Sequence, residues 1–98
     1  MQEEPIGAGA FSRATTAVED ARDQAQALRE VLFIYPETFT FDELARLMTV
    51  GSTQLIERDR VERAVRDLVA AGLFHPRTDD DVIRPTRAAI NFSALMDV

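Results

Sequence analysis

The sequence predicts a mainly α domain completed by a small β-hairpin, in the order α-β-α-α-β-β-α. Apolar residues recur at three-and-four spacing in four stretches, the signature of helices that bury one side. Pro36 and Gly72 sit where two of those stretches must stop. Two short extended runs, Leu73 to Arg77 and Val82 to Arg84, flank the turn-forming Thr78-Asp79-Asp80-Asp81.

Residues 1 to 14 contain Pro5, Gly7 and Gly9 among small and polar residues. They offer too little apolar surface to offset the entropy of ordering, so a flexible arm is expected there and the domain proper over 15 to 98. Thr16 with Glu19 reads as a capping box, and Val18, Ala21, Ala25, Leu28, Val31, Leu32 and Tyr35 follow at helical spacing. A long first helix is therefore expected from about Ala17 to Ile34 or Tyr35, ended by Pro36. Glu37-Thr38-Phe39 is a short extended link able to lend one strand to a sheet edge. Thr40 then caps a second helix with Glu43 as its partner, and Phe41, Leu44, Leu47 and Met48 supply the buried stripe. Thr49 to Ile56, with Gly51, Ser52 and Thr53 at its centre, reads as a connection in which Leu55 and Ile56 plug the core.

The third helix, Glu57 to Gly72, is the element around which the rest is organised. Val61, Ala64, Val65, Leu68 and Val69 form its buried stripe. At about 100° per residue the opposite side carries Asp59, Arg63, Arg66 and Ala70, with Arg60 and Asp67 on one flank and Glu62 on the other. Gly72 supplies the left-handed residue that ends the helix. In the hairpin that follows, Pro76 and Pro85 cannot donate ladder hydrogen bonds, which keeps its strands short. Thr86 caps a last helix, Arg87 to about Met96, with Ala89, Phe92, Leu95 and Met96 on its apolar side.

Composition narrows the chemistry. Without Cys there is neither a disulfide framework nor a thiol nucleophile, and His75 is the single imidazole, so zinc and triad chemistry lack their residues. No Gly-rich phosphate loop, nucleophile elbow or metalloprotease motif is present, and Asp79 to Asp81 lack the spacing of a calcium loop. The chain reads as a non-enzyme without metal or cofactor. Its opening Met-Gln-Glu-Glu-Pro is acidic where a secretory signal is basic, and no apolar run is long enough to cross a bilayer, so a cytoplasmic location is expected. With a formal net charge of −6, any nucleic-acid footprint must be local.

The order of elements, with Thr40-Phe41-Asp42-Glu43-Leu44-Ala45 opening the second helix and Val65-Arg66-Asp67-Leu68-Val69-Ala70-Ala71-Gly72-Leu73 running into a hairpin, resembles the winged-helix family of helix-turn-helix proteins over about residues 17 to 98. The resemblance implies a three-helix core, a hairpin wing with Thr78 to Asp81 at its tip, and a third helix that enters the DNA major groove. The function it implies is transcriptional regulation by a homodimer bound to double-stranded DNA.

On that reading Arg58, Arg60, Arg63 and Arg66 contact bases and phosphates from the third helix, and Arg77 and Arg84 grip the backbone beside the wing. The same residues support a second reading. Glu62 with Arg66 and Arg63 with Asp67 can pair at i,i+4 along the helix, and three consecutive aspartates at the wing tip oppose phosphate. Those features favour a protein-interaction or adaptor module. Leu28, Phe92, Leu95 and Met96 either close over the core or form a dimer interface, because periodicity locates an apolar stripe without saying which chain buries it.

Overall fold

The computed structural model describes residues 4–50 and 58–96, with side chains from Ala17 onward in those ranges. Its elements are α1 (Glu4–Ile34), β1 (Phe39–Thr40), α2 (Phe41–Val50), α3 (Arg58–Ala70), β2 (Val82–Ile83) and α4 (Arg87–Met96). The expected connection segment containing Leu55 and Ile56 lies outside the described residues.

At 31 residues, roughly 46 Å, α1 starts at Glu4 rather than near Ala17. Thr16 and Glu19 therefore lie inside a helix instead of capping one, and residues 4 to 14, part of the expected flexible arm, continue the same helix. Pro5 stands in the first turn, where its missing N–H has no helical partner to lose, and alanines recur up to Ala17. Once a helix is nucleated each further residue adds a hydrogen bond, so propagation backward is far easier than a fresh start.

The side of α1 that meets the core also differs from expectation. Asp23, Ala27 and Val31, spaced four apart, are the buried residues of α1. Of the anticipated stripe only Val31 is fully buried; Leu28 and Leu32 are half-buried, and Val18, Ala21, Ala25 and Tyr35 are exposed. Asp23 occupies a core-facing position because Arg60 of α3 comes to meet it, a pairing that apolar periodicity does not register.

The start of α2 follows its local chemistry. Thr40 N–H donates to Glu43 Oε1 at 2.8 Å, and Glu43 N–H donates to Thr40 Oγ1 at 3.2 Å, the reciprocal capping box. Phe41, Leu44, Ala45 and Met48 are buried, whereas Leu47, expected inside, is 42% exposed, its place in the stripe taken by Ala45. In α3 the buried residues are Val61, Ala64, Val65 and Leu68, and Val69, the fifth of the expected stripe, is half-buried at the edge of the cluster. Gly72 has φ +82°, Leu73 N–H donates to the Leu68 carbonyl at 2.9 Å and Gly72 N–H to that of Val69 at 3.0 Å, which is a Schellman ending.

The sheet is the main departure in topology. Val82 and Ile83 pair antiparallel with β1, Phe39 opposite Ile83 and Thr40 opposite Val82, rather than with Leu73 to Arg77. The expected hairpin is reduced to one bridge, Phe74 with Pro85, made by His75 N–H to the Arg84 carbonyl and Thr86 N–H to the Leu73 carbonyl, both 2.9 Å. Pro76 and Pro85 leave no donors with which to lengthen that ladder, and β1 occupies the free side of β2. The order is thus α-β-α-α-β-α, a mainly α domain of four helices and a two-stranded sheet among the described residues.

One cluster joins these elements, with Ala27 and Val31 from α1, Phe41, Leu44, Ala45 and Met48 from α2, Val61, Val65 and Leu68 from α3, and Phe74 and Ile83 closing it below. The Thr86 hydroxyl accepts from Ala89 N–H at 3.3 Å and donates to the Gly72 carbonyl at 2.7 Å, so one side chain caps α4 and ties it to the end of α3. Beyond that anchor α4 buries Ala89 alone, and Phe92, Leu95 and Met96 do not close over the core. Among the described residues no helix is long and apolar enough to cross a membrane.

Candidate nucleic-acid interface

The side of α3 away from the core is set by the same period that buries Val61 and Leu68. Asp59, Arg63, Arg66 and Ala70 are exposed there, as the helical projection requires. The flank is different, because α1 lies along α3 and contributes carboxylates to it.

Arg60 is held by Asp23 through two hydrogen bonds, Nε to Oδ2 at 3.0 Å and a terminal nitrogen to Oδ1 at 3.1 Å. This is the fork geometry that suits guanidinium and carboxylate. Asp23 is almost wholly buried, and its hydrogen bond raises the pKa of Arg60 above the usual value. One turn along, Arg63 lies 3.6 Å from Asp20, and Asp67 accepts from Gln24 at 3.2 Å. The anticipated pairs along α3, Glu62 with Arg66 and Arg63 with Asp67, are replaced by pairs to other elements.

At the other end Arg58 pairs with Asp42 of α2, and that hydrogen bond lowers the carboxyl of Asp42 below its ordinary range. Arg77 pairs with Glu62 at 2.7 Å and lies 3.4 Å from Asp81. The guanidinium carbons of Arg58 and Arg77 lie 4.8 and 4.6 Å from the centroid of the Phe41 ring, within cation–π range. Both arginines therefore brace the start of α2.

The acidic tip is also internally tied. Asp81 N–H donates to the Thr78 carbonyl at 2.9 Å to form the turn, and Asp81 adopts φ 59°, a left-handed conformation that Asp tolerates. Asp80 accepts from the Thr78 hydroxyl at 2.6 Å, from Val82 N–H at 3.2 Å and from Arg84 at 3.0 Å. The Arg84 hydrogen bond, then those of Thr78 and Val82, hold its carboxyl far below the usual carboxylate range. That clasp is complete above the ordinary carboxylate range and is lost as pH falls through and below it.

Of the six arginines marked out by sequence, Arg58, Arg60, Arg63, Arg77 and Arg84 each have a carboxylate within 4 Å, and Arg66 has no such partner among the described residues. The partners Asp20, Asp23 and Asp42 are the residues of this surface that sequence reasoning does not mark out. Only Asp23 left a trace, a carboxylate spaced four and eight residues before Ala27 and Val31. Leu28 packs against the core cluster, while Phe92, Leu95 and Met96 are 58%, 72% and 68% exposed. Among the described residues no group of three His, Asp or Glu side chains is placed to hold a metal ion.

No known family model matches the chain, and neither a curated protein nor a solved structure matches it.

Proposed function

We propose that this chain is a winged-helix-like protein-interaction module whose third helix is not a DNA reader. The observation that carries this reading is the pairing of Arg58, Arg60, Arg63, Arg77 and Arg84 with carboxylates, most of them supplied by other elements. A phosphate contact gains affinity by releasing condensed counterions. An arginine already neutralised by a carboxylate must first give up that partner, and the carboxylate left behind then repels the backbone. The wing tip adds to this, since Asp79 is exposed and Asp80 and Asp81 stand beside it. With net charge −6, the partner best suited to these surfaces is a basic protein segment.

One observation favours the second reading, a DNA-binding regulator. Arg63 and Arg66 are exposed on one side of α3, and Arg66 retains its charge without an ion-pair partner among the described residues.

Fluorescence anisotropy with a labelled random-sequence duplex separates the two. Wild type, the triple variant Asp79→Asn, Asp80→Asn and Asp81→Asn, and the double variant Arg63→Ala with Arg66→Ala are titrated at low and moderate salt. For an interaction module the three chains are expected to be alike, with no salt-sensitive binding in any. A DNA reader would bind at low salt, more tightly in the triple variant and more weakly in the double variant, and that pattern would overturn the proposal.

A further inference from the structure

The most regular apolar spacing in α1 is one that meets the core cluster only at its edge, through half-buried Leu28. Val18, Ala21, Ala25, Leu28 and Leu32 follow one another at intervals of three and four, with Tyr35 next in the series just past the helix end, which is the seam of a coiled coil. Val18 is 56% and Tyr35 50% exposed, and Ala21 and Ala25 are exposed as well. The seam is turned by about 140° from the side that carries Asp23, Ala27 and Val31 into the core. Glu19, Asp20, Asp23 and Glu30 all project away from it, so an acidic chain keeps this stripe free of carboxylates, with Arg22 and Arg29 along one border. Beside its C-terminal half runs a groove of about 670 Å³ between α1 and α4, lined by Ala25, Leu28, Leu32, Phe92 and Met96, with Phe33 at 83% exposure on its rim.

From this surface we infer that a second copy of the chain packs on it, the two α1 helices antiparallel about a two-fold axis that falls between Gln26 and Ala27. The sizes along the seam select this occupant and this direction. An antiparallel pair places Ala21 opposite Leu32, Ala25 opposite Leu28 and Val18 opposite Tyr35 of the second copy, so each small residue faces a large one in every layer. A parallel pair would set Ala against Ala in two successive layers and leave voids there. A two-fold interface must also be self-complementary, carrying its projections and its hollow on one patch. Here Phe33 and Phe92 project beside the groove that Ala25 leaves open. The eighteen residues from Val18 to Tyr35 extend roughly 26 Å, and α4 widens the patch toward the roughly 20 to 30 residues a side typical of a stable interface.

The inference is independent of what α3 binds, and its salt dependence runs the other way. Two chains of net charge −6 repel, and Arg22 of one helix lies near Arg29 of the other, so added salt is expected to tighten the dimer. The test is sedimentation equilibrium of the full chain. Wild type is expected to be a dimer, and the variant Ala21→Glu with Ala25→Glu a folded monomer, because both positions are exposed in the single chain and Glu is a good helix former. Carboxylates buried against Leu32 and Leu28 of the second copy should raise the dimer dissociation constant on the order of 100-fold or more. A monomeric wild type, or a doubly substituted variant that dimerises as wild type does, overturns the inference. Because the chain has no cysteine of its own, the register is read directly by oxidising engineered thiols. A mixture of Ala21→Cys and Leu32→Cys chains is expected to form a mixed disulfide dimer, with little crosslinking of either chain alone. Efficient crosslinking of Ala21→Cys with itself, with no mixed disulfide to Leu32→Cys, would mean a parallel seam and would overturn the antiparallel assignment.

Discussion

Replacing Leu68 by alanine is expected to cost about 2 to 5 kcal/mol, the range for a buried leucine truncated in a core that cannot collapse onto the gap. Leu68 is 3% exposed at the centre of the cluster that joins α1, α2 and α3. Its carbonyl accepts from Leu73 at 2.9 Å and Phe74 at 3.2 Å, so the backbone at this residue is fixed by the ending of α3 and is poorly free to shift inward. A small domain has about 5 to 15 kcal/mol in total, and the loss should lower the melting temperature by roughly 10 °C or more. Thermal denaturation followed by circular dichroism reads it directly. A cost below about 1 kcal/mol would place Leu68 outside the core.

The second large effect is expected at the seam between α1 and α3. Arg60→Ala leaves Asp23, 4% exposed at its side chain, as a buried carboxylate that has lost its forked partner, and should cost about 2 to 3 kcal/mol. Asp23→Ala should cost less, since Arg60 is 28% exposed and can turn its guanidinium to water. Removing both should cost less than the sum, with a coupling of about 1 kcal/mol or more in urea unfolding. An arginine reserved for a ligand would behave otherwise, its removal costing no more than about 0.5 kcal/mol, as surface substitutions do.

What was legible in the sequence was local. The Thr40 and Glu43 box, the Gly72 ending, the Thr86 cap and the buried side of α3 depend on residues within a turn or two of one another, and each stands in the structure as its chemistry dictates. What was not legible involves choices between distant partners. Val82 and Ile83 could pair with Leu73 to Arg77 or with Phe39 and Thr40, and proline placement alone does not decide between them. In α1 the stripe with the better apolar spacing is not the core side, because the core side includes Asp23, acceptable there only through Arg60 of another helix. The start of α1 is not legible because Gly7 and Gly9 lower local helix propensity, while a helix already formed extends through them at little cost. For the candidate site, exposure of Arg63 and Arg66 followed from the period, while Asp20, Asp23 and Asp42 as partners required the packing of α1 and α2 against α3.

The proposal that Arg58, Arg60 and Arg63 of α3 belong to the fold and not to a nucleic acid is tested most directly by an amide and arginine Nε–H NMR titration of the full chain with a random-sequence duplex at low salt. The expected spectrum keeps the Arg60 Nε–H resonance and the amides of Arg58 to Ala70 in place throughout, because the carboxylates of Asp20, Asp23, Asp42 and Glu62 already hold Arg63, Arg60, Arg58 and Arg77. Progressive shifts concentrated on Arg63, Arg66 and the turn from Thr78 to Asp81, reversed by added salt, would contradict it and establish α3 as the reading helix.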